Sequence, residues 1–429
     1  MGLALLILLG LLLAGCSGQT PGSPTATALP ATLAPTREQT NPAATALPTS
    51  AGARRPLLIW LPPQFDPSAN TPASQLLKAR LDAFQAANPA GTVQVRIKAV
   101  TGPAGLLESL TAASAAAPNS LPALIALPRS DLEIAALKGL VFPLDGLTNL
   151  VDDADWYAYA RQLALIQGSA YGLPFAGDAA LLVYRPKQLP TPPLDWTALL
   201  RTNLSGAFTA ADPQANLTLL LYLSAGGSVR DSQGRPMLQV DVLAKVLKLI
   251  GDGAKQGVFA PGIAQFQTDG QAWQYYRDLR AQWLVTWSSR YLSDIQADSL
   301  AASLPSLGQQ PFTLASGWVW ALSEPYSENR PAAVRLAEYL TASDFLAKFT
   351  AAAGYLPTRP TALAAWPDQA AKSVLSTVAL SAQARPASDL LAILGPVLQD
   401  ATLQVIKQQV DPTQAAQAAA ERLLPPPTK

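Results

Sequence analysis

The chain has 429 residues, 49% of them hydrophobic and only 14% charged, against roughly 25% charged in typical globular proteins. Thirty Lys and Arg oppose 29 Asp and Glu, a formal net charge of +1, so the basic excess that phosphate contacts need is missing and no nucleic-acid partner is expected. With no histidine and a single cysteine, His-based triads, the HExxH zinc helix, Cys-rich metal sites and an intramolecular disulfide are all excluded; neither a metal nor a cofactor is expected.

Leu3 to Leu13 is an apolar run broken only by Gly10. It is too short for a membrane-spanning helix of about 20 residues, but it fits a signal-peptide core of roughly 7–15. The run ends in Leu13-Ala14-Gly15-Cys16-Ser17, which resembles the lipobox of bacterial lipoproteins, with the only cysteine at the position that receives lipid. Residues 1–15 are therefore expected to be a signal peptide and Cys16 the lipidated N-terminus of a membrane-anchored protein. No Lys or Arg precedes the run, so the free amine supplies the positive charge unless the start lies upstream. Residues 16–55 are Thr, Ala, Pro, Ser and Gly with almost no charge, too poor in buriable surface to fold. They read as a disordered linker reaching on the order of 100 Å at ~3.1 Å per residue.

From there strand and helix patterns alternate. Leu57-Leu58-Ile59-Trp60-Leu61, bounded by prolines, reads as a buried strand. Leu76 to Ala87 has helical spacing (Leu77, Leu81, Phe84) and stops at Asn88-Pro89. Val93 to Ile97 alternates as a second strand, Leu106 to Ala116 is a helix, and Leu121 to Leu127 a third strand. Asp131 to Leu137 is a helix with Ser130 as its N-cap candidate. Ala179 to Tyr184 is a strand; Leu217 to Ser224, Val240 to Ile250, Ala332 to Leu340, Leu391 to Gln408 and Thr413 to Leu423 are helices. Such alternation argues for an α/β fold with mostly parallel sheets flanked by helices.

Several segments, in order, resemble the family 1 extracellular solute-binding proteins, the sugar-type receptors of ABC importers. They are Leu81 to Pro89, a helix ending in Asn-Pro; Lys138 to Asp145, with Gly-Leu-x-x-Pro-Leu-Asp; Tyr171-Gly172-Leu173-Pro174-Phe175 followed by Val183-Tyr184-Arg185; Ser316-Gly317-Trp318; and Gly354-Tyr355-Leu356-Pro357-Thr358-Arg359. The resemblance implies a type II periplasmic-binding-protein-like fold: two α/β lobes joined by crossing hinge strands, with ligand in the cleft and closure by hinge bending. The chain would cross near Phe175, return near Trp283 to Trp287 and cross again around Tyr339 to Phe345. Lobe 1 would take residues 56–174 and 285–342, and lobe 2 residues 175–284 and 343–429. A monomeric receptor on the outer face of the cell membrane, delivering a sugar to ABC permease transmembrane subunits and performing no chemistry, is what the resemblance implies.

Sugars need aromatic plates for their flat faces and amide, acid or Arg groups for their hydroxyls. Matched by position to the family, the expected ligand contacts are Gln64 and Phe65 after the first strand, Arg129 and Ser130 after the third, and Phe175 and Asp178 at the crossover. Asp212 and Gln214 in an acid-Pro segment, Trp287 and Arg290, Trp318 and Tyr355 complete the set. Trp60, Trp273 and Trp283 are expected in the core and Arg359 in a structural ion pair. Trp318 and Trp320 are expected on opposite faces, so that at most one lines the cleft. Leu127 stands where maltose-binding members carry tryptophan, and Leu391-Ala392-Ile393 replaces another aromatic, so a smaller sugar or a polyol is as compatible as an oligosaccharide. Two rivals remain: a carboxylate-only hydrolase, for which Asp178 and Asp212 are the nominated pair, and a degenerate surface interaction or sensor protein with no transport role.

Overall fold

The structure is a computed structural model and describes residues 55–89, 92–308 and 310–424. The expected signal peptide, Cys16 and all of the linker except Arg55 lie outside the described residues.

The chain begins with β1 (Leu57–Leu61), α1 (Pro72–Ala87), β2 (Val93–Ile97), α2 (Leu106–Ala116), β3 (Leu124–Pro128) and α3 (Arg129–Leu137). Both β2 and β3 run parallel to β1, as strands joined by a helical crossover do. Every residue of β1 is buried because helices cover both faces of the sheet. The period of two divides the side chains between two cores. Ile59, Leu61, Leu124 and Ala126 meet one set of helices, and Leu58, Trp60, Ile125 and Leu127 the other. Helix α1 starts four residues earlier than its apolar spacing suggests, because Thr71 caps it by accepting from the Ser74 amide. Helix α3 also starts early, at Arg129 with Pro128 before it, so Ser130 lies inside the first turn and is not the N-cap.

Next come α4 (Ala158–Ala164), a small hairpin of β4 (Leu165–Ile166) and β5 (Ser169–Ala170), and the long β6 (Gly172–Tyr184). Then follow α5 (Trp196–Arg201), β7 (Gly206–Ala207), α6 (Asn216–Ser224), α7 (Val240–Lys255) and α8 (Asp269–Arg277). After them run β8 (Trp283–Trp287), α9 (Ser288–Ser293), β9 (Leu300–Ala302) and β10 (Thr313–Leu322). The chain closes with α10 (Arg330–Leu340), α11 (Ser343–Ala353), α12 (Pro360–Ala364), α13 (Gln369–Ser381), β11 (Ala382–Ala384), α14 (Ser388–Ile406) and α15 (Pro412–Glu421).

The main sheet has the strand order β2-β1-β3-β10-β6-β8-β7, with β11 beside β10 and β9 beside β6. Pairs formed by helix-connected strands are parallel (β1 with β2 and β3, β7 with β8, β10 with β11), whereas β6 runs antiparallel to β8, β9 and β10, and β10 antiparallel to β3. Strand β6 ties the sheet together: Gly172 to Ala179 pair with β10, and Ala180 to Tyr184 pair with β8 and β9.

Two expectations change here. Trp283 to Trp287 do not carry the chain back; they form β8, held between β7 and the second half of β6. The strand running back beside the crossover is β10, which bonds both β6 and β3. Tyr339 to Phe345 end α10 and begin α11, packed in the core with Leu77 and Phe84 of α1. The later strand reaching the second half is β11, parallel to the start of β10.

Candidate functional site

The middle of β6, from Phe175 to Ala180, is where its partners change from β10 to β8, and the expected site residues gather around it. On one side is an aromatic cluster. A short 3-10 turn after β1 brings Phe65 to ring-centroid distances of 5.0 Å from Phe175, 5.5 Å from Trp318 and 5.4 Å from Tyr355. Phe175 stacks on Trp320 at 4.5 Å. Both Phe65 and Phe175 are buried, at 2% and 1% exposure, so they support the cluster from beneath and leave half-buried Trp318 and Tyr355, with exposed Gln64, as its surface. The expected ligand contacts at Phe65 and Phe175 therefore give way to packing. Tyr355 follows Gly354, whose left-handed backbone (φ 71°) ends α11 and is open to glycine without strain. Burial first and the nearby Asp178 charge second push the Tyr355 hydroxyl up to about 12, against the hydrogen-bonding influence of Gln64 and Trp318.

Trp318 and Trp320 do not part to opposite faces. Residues two apart in a strand share a face, and both pack on the Phe65–Phe175 cluster; the register shift between Trp318 and Val319 leaves Trp318 partly open while Trp320 is 1% exposed. The core expectations for Trp60, Trp273 and Trp283 hold, each being 3% exposed or less. Arg359 is structural, donating to the Thr341 carbonyl at 2.9 Å and pairing with Asp153 and Asp155 at 3.1 and 3.4 Å.

On the other side of β6 lies a polar cluster. Asp178 accepts from the Ser288 hydroxyl (2.8 Å), the Ser289 amide (2.9 Å) and the Ser289 hydroxyl (2.6 Å), where β8 turns into α9. Burial raises its carboxyl to about 6, an effect these hydrogen bonds oppose and the Asp269 charge assists. Asp269 is itself pushed up by burial, with Thr286 and Arg290 acting against it; Arg290 donates to it at 3.1 Å. Asp212 folds a turn on itself, accepting from the Gln214 amide (3.0 Å) and the Asn216 amide (3.1 Å) ahead of α6. Both carboxylates nominated for hydrolysis are thus engaged in shaping backbone. Arg129 is tied to Glu133 at 2.7 Å, and the second Glu133 oxygen accepts from the Ser388 amide at 2.7 Å. Among the described residues the Ser130 hydroxyl reaches only its neighbour Asp131, at 3.3 Å.

Sequence reasoning missed Arg385. Its amide continues the pairing of β11 onto the Ala315 carbonyl, and its side chain turns in among Gln214, Asn216 and Trp287. Burial draws its guanidinium below the ordinary value, while the charges of Asp212, Asp178 and Glu133 act the other way. The only advance signal is a lone charge, Arg385-Pro386, in an alanine-rich stretch. Beneath half-buried Trp287, between Phe208, Asn216, Asp269 and Leu314, lies a cavity of about 20 Å³, room for about one water molecule. The arrangement can hold a small polar molecule against an aromatic surface and offers hydrogen-bonding groups of both senses.

The sequence profile of the bacterial extracellular solute-binding proteins matches residues 79–375, more than half of the chain. The chain belongs to that family. No curated protein sequence matches it. Among solved structures, the sugar-binding protein MalE from the phytopathogen Xanthomonas citri superposes with a TM-score of 0.71 at 18% identity, covering 86% of this chain and 96% of that one. The cyclic alpha-maltosyl-1,6-maltose binding protein from Arthrobacter globiformis gives 0.69 at 15% identity, covering 86% and 98%. An ABC transporter solute-binding protein from Thermotoga lettingae, bound with alpha-D-tagatose, gives 0.64 at 20% identity, covering 86% and 99%. These extracellular solute-binding proteins share the two-lobed fold with this chain, and a family defined by binding solutes is one of receptors.

Proposed function

We propose that this solute-binding protein captures a carbohydrate-like ligand between two lobes and hands it to the transmembrane subunits of an ABC permease. The observation that carries the reading is the pairing, across the middle of β6, of an aromatic surface (Trp318, Tyr355, with Gln64) with a polar cluster (Trp287, Gln214, Asn216, Arg385). Flat apolar rings and hydroxyl-matching groups are the two things a sugar requires. The structural neighbours named for the sugars they bind support the same ligand class.

In this reading lobe 1 holds residues 55–177 and 316–364, lobe 2 holds 178–315 and 365–424 with α13 packed on β9, and β6, β10 and the segment between α12 and α13 cross between them. Ligand bridges the lobes and shifts the population toward the closed form, which the permease recognises. The protein works as a monomer and leaves ATP hydrolysis to other subunits. Two acyl chains on Cys16 and the proline-rich linker hold it outside the cell membrane.

A thermal-shift panel of mono- and disaccharides, short oligosaccharides, polyols, amino acids and phosphate esters tests the reading. Ligand at 100 times its dissociation constant stabilises by ~2.7 kcal/mol. A shift with one sugar class is the expected result. The rival reading, a surface interaction or sensor protein without transport, is favoured by one observation: the space beside Trp287 holds about 20 Å³, room for a water molecule and not for a sugar. A well-folded protein silent to the whole panel decides for that rival.

A further inference from the structure

The charged groups around the middle of β6 differ in one respect, the hydrogen-bonding capacity they have left. Asp178 is engaged by Ser288 and Ser289, and Asp212 by the Gln214 and Asn216 amides. Glu133 is held by Arg129 and the Ser388 amide. Arg385 is the exception. A guanidinium carries five N–H donors in a rigid plane. Only Nη1 is engaged here, by Gln214 Oε1 and, at 3.3 Å, Asn216 Oδ1; among the described residues neither Nε nor Nη2 donates to any group, and Arg385 forms no ion pair. Because Nη1 is pinned, the opposite Nε–Nη2 edge is held in place as a ready two-pronged donor. Its carbon lies 5.9 Å from the centre of the half-buried Trp287 ring.

We propose that this Nε–Nη2 edge of Arg385 reads a vicinal diol of a neutral sugar whose flat face lies on Trp287, and so sets the specificity of the site; the inference rests on the carbohydrate reading above. Two adjacent hydroxyl oxygens present acceptors at a spacing the planar fork matches, as a carboxylate does. The choice between them comes from the surroundings. Asp212, Asp178 and Glu133 all act on Arg385 electrostatically, so an acidic sugar would bring a fourth negative charge to one guanidinium, whereas a diol brings none.

The test uses the full chain, its Arg385→Lys and Arg385→Gln variants, and titration calorimetry with D-glucose, D-galactose, maltose, D-glucuronate and the 2-, 3-, 4- and 6-deoxy forms of the neutral sugar that binds. Lysine keeps the charge but has no fork, so a loss in Arg385→Lys reports the paired geometry. The expected result is a neutral sugar bound better than its uronate, and a 10–100-fold weaker affinity in both variants, the size of a lost charge-assisted hydrogen bond. Two adjacent deoxy positions weaken binding to the wild type and no longer do so in Arg385→Lys, a coupling that a merely structural arginine would not show. Tighter binding of glucuronate overturns the neutral-diol assignment. Neutral-sugar binding that is equal in all three proteins overturns the role of Arg385 while leaving the carbohydrate reading intact. Absence of binding to every sugar by the wild type overturns both.

Discussion

Glu133 of α3 and the amide of Ser388 at the start of α14 are joined at 2.7 Å, although α3 packs on α2 and β3 while α14 packs on α6, α7 and α15. In the lobe division proposed above, this bond spans the cleft and belongs to the closed form alone. Glu133→Gln keeps an acceptor in place but removes the charge. Charged hydrogen bonds contribute about 1.5–3 kcal/mol and neutral ones about 0.5–1.5, so the closed form loses roughly 1–2 kcal/mol. The Glu133 and Arg129 side chains are only 10% and 21% exposed, which leaves little of that difference to solvent screening. A change of that size is a 5–30-fold shift in population, read as a larger radius of gyration in small-angle scattering without ligand and an affinity loss of the same factor for any ligand that requires closure. Ser388→Pro is the matched control: it deletes the donor at the first position of α14, where proline fits a helix, and Ala387 before it is already extended. If both variants scatter and bind like the wild type, the bond does not hold the cleft and the reasoning fails.

Other expectations follow from single residues. Burial raises Asp178 to about 6 from 3.8, so the folded protein binds this proton more tightly than the unfolded chain does. Stability therefore falls as pH rises from about 4 to 6 and levels off above. Asp178→Asn should flatten that limb by on the order of 2 kcal/mol in urea melts at pH 4.5 and 7; an unchanged slope refutes the assignment. Gly177 has no room for a side chain, since a Cβ would stand 2.1 Å from the Tyr159 hydroxyl and 2.9 Å from the Leu356 carbonyl oxygen. Gly177→Ala should cost about 1–3 kcal/mol, and a melting temperature equal to wild type would contradict the packing. Arg359→Met breaks the ties to Thr341, Asp153 and Asp155 and should cost about 2–4 kcal/mol at pH 7, less than a fully buried pair because Asp153 is 43% exposed. Burial pushes the Asp155 carboxyl up, but hydrogen bonds from Thr361 and Ser343 and the Arg359 charge outweigh it and hold it low. Its stabilisation is thus present above pH 3.8 and lost as pH falls through its folded value. The gap between wild type and Arg359→Met should narrow at pH 3, and a constant gap refutes the ion-pair account.

Local pattern was enough for most of the scaffold. Leu57 to Leu61, Val93 to Ile97 and Leu106 to Ala116 occupy the elements their apolar spacing predicts, because burial of a face imposes a period of two on a strand and 3.6 on a helix. The ordered motifs around Tyr171 to Phe175 and Gly354 to Arg359 pointed to the solute-binding family that the profile match establishes. What spacing could not reveal is contact between distant segments. Phe65 and Phe175 look like plates in sequence, but Trp320 and Phe349, far along the chain, cover them. Trp283 to Trp287 look like a crossing strand, but hydrogen bonding to β6 and β7 places them within one half of the sheet. Arg385 looks like a solitary charge until the turn leading into α6 brings Gln214 and Asn216 to it from some 170 positions earlier. Periodicity records which face a residue buries. Which partner it buries against, and which polar atom is left with a free donor, is settled only when the chain is folded.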